Sequence, residues 1–229
     1  MKKSILLCSL AVFMLGLLIQ ANAQLVPTLI SAVGQGDEKE VKNLIAQGAD
    51  VNIKDKKVLT PLHYAVLSDN LKIAKLLIKN GADVNAHSDE SETPLYLAVL
   101  NNNEKIVKLL LASGADANIS LSSWTPLFHA ALNENKAVAI LLIKNGADVN
   151  QTVAGGPIIA AVFACPNEGP CNLKDREAIL KTMLKYGADI NAKGDAGKTP
   201  LDFVEKDEIR KILIKYGAKS GKDLNKTEE

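Results

Sequence analysis

A five-residue phrase returns along this chain at a near-constant interval, and that interval limits the possible folds more than any other feature. Gly48-Ala49-Asp50-Val51-Asn52 reappears as Gly81-Ala82-Asp83-Val84-Asn85 and as Gly114-Ala115-Asp116-Ala117-Asn118. It appears twice more, as Gly146-Ala147-Asp148-Val149-Asn150 and Gly187-Ala188-Asp189-Ile190-Asn191, the steps being 33, 33, 32 and 41 residues. A second phrase runs in phase with the first: Thr60-Pro61-Leu62-His63, Thr93-Pro94-Leu95-Tyr96, Thr125-Pro126-Leu127-Phe128 and Thr199-Pro200-Leu201-Asp202. The degenerate Gly156-Pro157-Ile158-Ile159 fills the remaining slot. Two markers locked in register describe small modules, each burying its apolar side on its neighbours.

Each marker has a local cause. Thr60 can accept a bond from an orphan N–H at a helix start, and Pro61 sits where a missing N–H costs nothing. Leu62 and Ala65 begin a short amphipathic helix, and Ser68-Asp69-Asn70 reads as a turn. A longer helix, 71–79, follows with Ile73, Leu76 and Leu77 on one face. Gly81 ends it, because glycine accepts the left-handed conformation common at helix C-termini. The polar stretch before the next Thr-Pro reads as a β-turn or hairpin.

This helix–turn–helix plus hairpin resembles the ankyrin repeat, whose Thr-Pro-Leu-His and Gly-Ala-Asp signatures it matches over roughly residues 25–219. The resemblance implies an all-α repeat, an ankyrin solenoid of about six helix–turn–helix units joined by β-turns or hairpins. The divisions expected are an N-terminal capping repeat at 24–52, internal repeats at 53–85, 86–118, 119–150 and 151–191, and a C-terminal capping repeat at 192–219. Residues 220–229 are polar and read as a disordered tail.

The first 23 residues read as a signal peptide. Lys2 and Lys3 form a positive start, 5–19 is an almost unbroken apolar run, and Ala21-Asn22-Ala23 supplies small residues for cleavage. That run is shorter than the ~20 residues a spanning helix needs. An exported protein in the periplasm is therefore expected, with secretion into the medium as the alternative. Removing Lys2 and Lys3 takes the formal net charge from +1 to −1. A near-neutral chain gives no electrostatic case for nucleic acid or for a membrane surface after signal cleavage. A monomer is expected.

Without the signal, two cysteines remain, Cys165 and Cys171, flanking a Pro/Gly-rich segment of a fifth unit that carries about ten extra residues between its helices. Two free thiols or half of a metal site are competing readings; export favours a disulfide, which would add ~2 kcal/mol by closing a small loop. Gly155-Gly156 replaces a side-chain cap at the preceding junction and marks the expected place for local opening.

No pattern for catalysis is found. The three histidines, His63, His87 and His129, share no motif, and there is no Cys-His pair, phosphate loop or HExxH. The aspartates recur within Gly-Ala-Asp, where bonding to turn backbone is expected. No catalytic residue, cofactor or metal is expected.

The resemblance implies a protein partner held on the exposed side of the first helices and the hairpin tips. Aligned by the proline, Leu67, Leu100, Leu132 and Phe163 form an apolar stripe about 30 Å long at ~10 Å per module, with Trp124 beside it. Half-burial between adjacent first helices is the competing role for the leucines. Trp124 and Phe163 are the stronger partner contacts, since large aromatics recur among binding hot spots. The tips run from basic (Lys56, Lys57) through acidic (Asp89, Glu90, Glu92) to neutral (Ser122, Ser123). That gradient suits a specific protein partner better than a polyanion. The function expected is a binding module (a scaffold, assembly aid or inhibitor of an exported protein); a secreted effector engaging a host protein and a toxin-neutralising immunity protein are the alternatives.

Overall fold

A computed structural model describes residues 29–119, 124–150, 172–194 and 197–225, and divides the chain into two compact units, 1–89 and 90–229. The described residues contain helices and turns but no strand.

In the first unit, helical residues 29–35 (α1) precede α2 (Glu38–Ala46), and α3 (Pro61–Leu67) precedes α4 (Leu71–Lys79). Asp37 starts α2 by accepting the Glu40 N–H, and Asn70 starts α4 by accepting that of Ile73. Leu62, Ile73 and Leu77 are fully buried, on the faces their spacing predicts. Gly81 closes α4 at φ +87°, a conformation a side chain disfavours. The tip after the first Gly-Ala-Asp phrase is closed by the Asp55 N–H donating to the Leu59 carbonyl.

The second unit repeats this plan. Short first helices α5 (Pro94–Leu100) and α7 (Pro126–Leu132) alternate with longer second helices α6 (Glu104–Ala112) and α8 (Lys136–Lys144). First helices pack on first helices and second on second, α5 against α7 and α6 against α8. Asn103, Asn135 and Asn172 each accept the N–H three residues on, so one side-chain type starts α6, α8 and α9 (Leu173–Lys185). The last module is reduced: its first helix is a single 3-10 turn, Pro200–Asp202, packed on α10 (Asp207–Lys215).

The recurring Gly-Ala-Asp-x-Asn phrase builds a ladder of side-chain bonds between successive modules. Within each phrase the aspartate carboxylate accepts the asparagine N–H two residues on, as Asp50 does from Asn52 at 2.9 Å. The asparagine side chain then reaches forward. Asn52 donates to the Gly81 carbonyl and accepts the Asp83 N–H. In the second unit Asn118 does the same to Gly146 and Asp148, Asn150 to Gly187 and Asp189, and Asn191 to Gly217 and Lys219. Only the backbone of the last partner is used, so Lys219 can stand where the phrase has aspartate.

Two expectations change. Residues 221–225 form a short helix, α11 (Gly221–Asn225), where a disordered tail was expected. Its anchor is Asp202, whose carboxylate accepts the N–H groups of Thr199 and Gly221 at 2.9 and 2.7 Å. Gly221 is buried, and a Cβ there would lie 2.5 Å from the Gly197 carbonyl oxygen. The fifth module's extra length also extends a helix: α9 has 13 residues against nine in α4, α6 and α8. The Cys165–Cys171 segment, Gly155-Gly156 and Phe163 lie outside the described residues.

Candidate functional site

The exposed ends of the first helices are set by their own sequence. Thr-Pro fixes each start, with the Thr93 and Thr125 hydroxyls accepting the N–H of Tyr96 and Phe128 at 3.1 and 3.0 Å. A seven-residue helix then ends on a leucine. In the first unit Leu67 is 47% exposed; in the second, Leu100 is 39% exposed and Leu132 is half-buried. Leu67 and Leu100 thus present apolar surface to solvent, whereas Leu132 divides its surface between packing and water.

Trp124 stands apart from these leucines. It immediately precedes the Thr125 cap and so stands at the start of α7, whose last residue, Leu132, lies about 9 Å along the axis from Pro126 at 1.5 Å per residue. It is 38% exposed, and its ring meets the edge of Phe128, centroids 4.3 Å apart at 65°. The His129 ring lies 5.8 Å from the same indole. His129 in turn meets Tyr96 edge-on at 5.2 Å, its Nε2 2.7 Å from the Tyr96 hydroxyl. Four rings, one from α5, two from α7 and that of Trp124 ahead of the cap, therefore form one contiguous shelf with Trp124 at its open edge.

Electrostatics keep the shelf uncharged. Desolvation lowers the pKa of His129, favouring the neutral imidazole at neutral pH. Burial, with the nearby Glu92 charge, raises that of Tyr96, so its hydroxyl stays protonated. Tyr96 and Phe128 are buried, and edge-to-face ring pairs contribute ~0.5–1.5 kcal/mol each beyond their buried area. The exposed tryptophan is held in place before any partner arrives.

The histidines take separate structural settings. His63, fully buried, accepts the Thr60 N–H at Nδ1 (3.1 Å), and Asp202 plays the same part toward Thr199. His87 is exposed. Tyr64, at the position His129 occupies in α7, donates to Asp55 at 2.6 Å. Burial works against the Asp55 charge, but Tyr64 and the N–H groups of Leu59 and Lys57 outweigh it and hold its carboxyl below the usual range. Among the described residues no group of three or more His, Cys, Asp or Glu side chains is placed to hold a metal.

Reading by module position alone missed Tyr96, Phe128 and His129 as parts of the site. The signal was present: consecutive rings, Phe128-His129, occur in α7 just behind the only tryptophan. No helix among the described residues is long and apolar enough to cross a membrane.

A family model described as ankyrin repeats (3 copies) matches residues 29–120 and 85–153, together more than half of the chain. Comparison with curated proteins gave no match. Among solved structures, an ankyrin repeat domain from Acinetobacter baumannii is similar, with 28% identity and a TM-score of 0.76 over 84% of this chain and 98% of that one. Such domains generally mediate protein–protein interaction, and the fold is typically non-enzymatic. With its phased Thr-Pro-Leu and Gly-Ala-Asp phrases and its helix pairs, this chain is an all-α repeat of about six units and belongs to the ankyrin-repeat family.

Proposed function

We propose that this chain is an exported bacterial protein-binding module without catalytic activity, acting in the periplasm as a scaffold, assembly aid or inhibitor of another exported protein. The supporting observation is Trp124. A large aromatic at the open edge of a packed ring shelf offers contact area whose ordering cost is already met. Export rests on the charged, apolar and small-residue pattern of residues 1–23. The bacterial source of the similar Acinetobacter domain fits that reading.

The test is capture from a periplasmic extract with residues 24–229 as bait, wild type beside Trp124→Ala. A protein retained by the wild type and lost by the variant, with the thermal midpoint unchanged within about 3 °C, supports the reading. Equal retention by both would discard Trp124 as the anchor. Fractionation tests the compartment: recovery only in the medium would replace the periplasm with secretion.

A further inference from the structure

Across residues 90–100 and α7 the charged side chains are acidic, Glu90 and Glu92. Glu92 immediately precedes the Thr93 cap of α5, as Trp124 precedes the Thr125 cap of α7, so the two occupy equivalent places in adjacent modules. Its charge reaches the shelf, acting on the Tyr96 hydroxyl, and Tyr96 connects through His129 to the indole. Exposed Glu90 lies two residues earlier. Neither α5 nor α7 contains a lysine or arginine, nor do residues 86–93 or 120–125. The neighbouring cations sit on the second helices instead, Lys105 and Lys108 on α6, Lys136 and Lys144 on α8. The uncharged shelf, with its exposed indole and neutral imidazole, thus stands beside carboxylates, and neither of its helices carries a positive side chain.

We propose that this shelf receives an arginine or lysine side chain from a basic segment of the protein partner. The cation rests on the Trp124 indole, with Glu92 as its counter-charge. The proposal rests on the protein-binding reading above and narrows the partner. A cation is attracted to the face of an aromatic ring, most strongly to that of tryptophan. Glu92, at the place in its module that Trp124 takes in the next, favours a cation there over an anion such as nucleic acid; the basic Lys57, whose carbonyl accepts the Asp89 N–H, belongs to the preceding hairpin.

Trp124 is the only tryptophan in the chain, so its fluorescence reads this site alone. The experiment titrates a blocked tetra-arginine peptide into the mature protein beside a tetracitrulline peptide, which has nearly the same shape but no charge. A saturable fluorescence change with arginine and none with citrulline is expected. By calorimetry, Trp124→Leu should weaken arginine-peptide binding about two- to fivefold, the loss of one exposed cation–π contact. Glu92→Gln should weaken it about twofold, and 0.5 M salt should weaken it further. Equal response to both peptides, no response, or arginine binding indifferent to Glu92→Gln would overturn the proposal, as would a fluorescence response to single-stranded DNA in place of the peptide. If the arginine peptide fails while Trp124→Ala still loses the captured partner, this inference falls and the protein-binding reading stands. If neither wild type nor Trp124→Ala captures a protein, that broader reading falls.

Discussion

The modules that keep the 33-residue period and the one that breaks it hold themselves together differently. In α6 and α8 the first buried turn is apolar: Ile106 and Val107, then Val138 and Ala139. In α9 the corresponding turn is an extra one, and it places Asp175 and Arg176 there. Arg176 is 4% exposed and donates from Nε and Nη2 to one oxygen of Glu134, at 2.9 and 2.7 Å. Beside it Lys136 pairs with Asp175, and that hydrogen bond holds the Asp175 carboxyl below its usual range. The asparagine ladder nevertheless crosses the irregular module intact. Asn150 reaches Gly187 across 37 residues, where Asn118 reaches Gly146 across 28. An insertion is tolerated because the ladder is anchored at the hairpins, and the added helical turn is secured by charge pairs.

Breaking each kind of packing should separate them. Leu110→Ala, at a fully buried site in the regular region, should cost ~2–5 kcal/mol, read as a lower denaturation midpoint. Arg176→Ala should cost somewhat less, ~2–3 kcal/mol. It strands a buried carboxylate contact, but Glu134 keeps 21% of its side chain in water. Arg176→Met combined with Glu134→Gln removes both charges and should recover most of that loss. If the double variant is as unstable as Arg176→Ala alone, the pair is not what secures the added turn.

The ladder comes next in size. Asn150→Ala removes two bonds of 2.7 and 2.8 Å and should cost ~1–2 kcal/mol. Asn191→Ala should cost less, because its bond to Gly217 is 3.3 Å long. Equal losses at the two positions would mean that the irregular module leans on its hairpin no more than the reduced terminal one does.

These contrasts track what the sequence made legible. Helix phases, Thr-Pro starts and glycine stops were readable because they are local rules repeated several times over. Asn70 and its counterparts belong to the same class, since a cap needs only the next turn. The Tyr96–His129 bond was not readable: it joins residues 33 apart, neither of whose types is repeated at its own module position. Arg176 gave no warning of burial, since its partner Glu134 lies 42 residues back, in a turn at φ +54°. The ordered end at Gly221 was hidden for a similar reason. It depends on Asp202 standing where the first unit has His63, its Oδ2 accepting the N–H of the returning chain at Gly221 as well as that of Thr199. The leucines were legible as a repeated position, but their differing exposure depends on neighbours that composition cannot supply.

The smallest effect probes how α9 meets α10. Glu177 accepts from Lys215 and from the Tyr216 hydroxyl, both at 3.1 Å, and pairs with Lys181 on its own helix. These bonds, that from Lys215 first, lower its pKa from an ordinary 4.5 to about 2. A carboxylate depressed in the folded state stabilises it fully above the unfolded value and loses that contribution as pH falls through the folded one. The difference in thermal midpoint between wild type and Glu177→Gln should therefore be constant from pH 7 to about 4.5 and close between 4.5 and 2. Because the group faces solvent, the gap should also shrink in 0.5 M salt. A gap that persists unchanged to pH 2 would show that the glutamine disturbs packing rather than charge. The contact between α9 and α10 would then be apolar in character, like those of the regular modules.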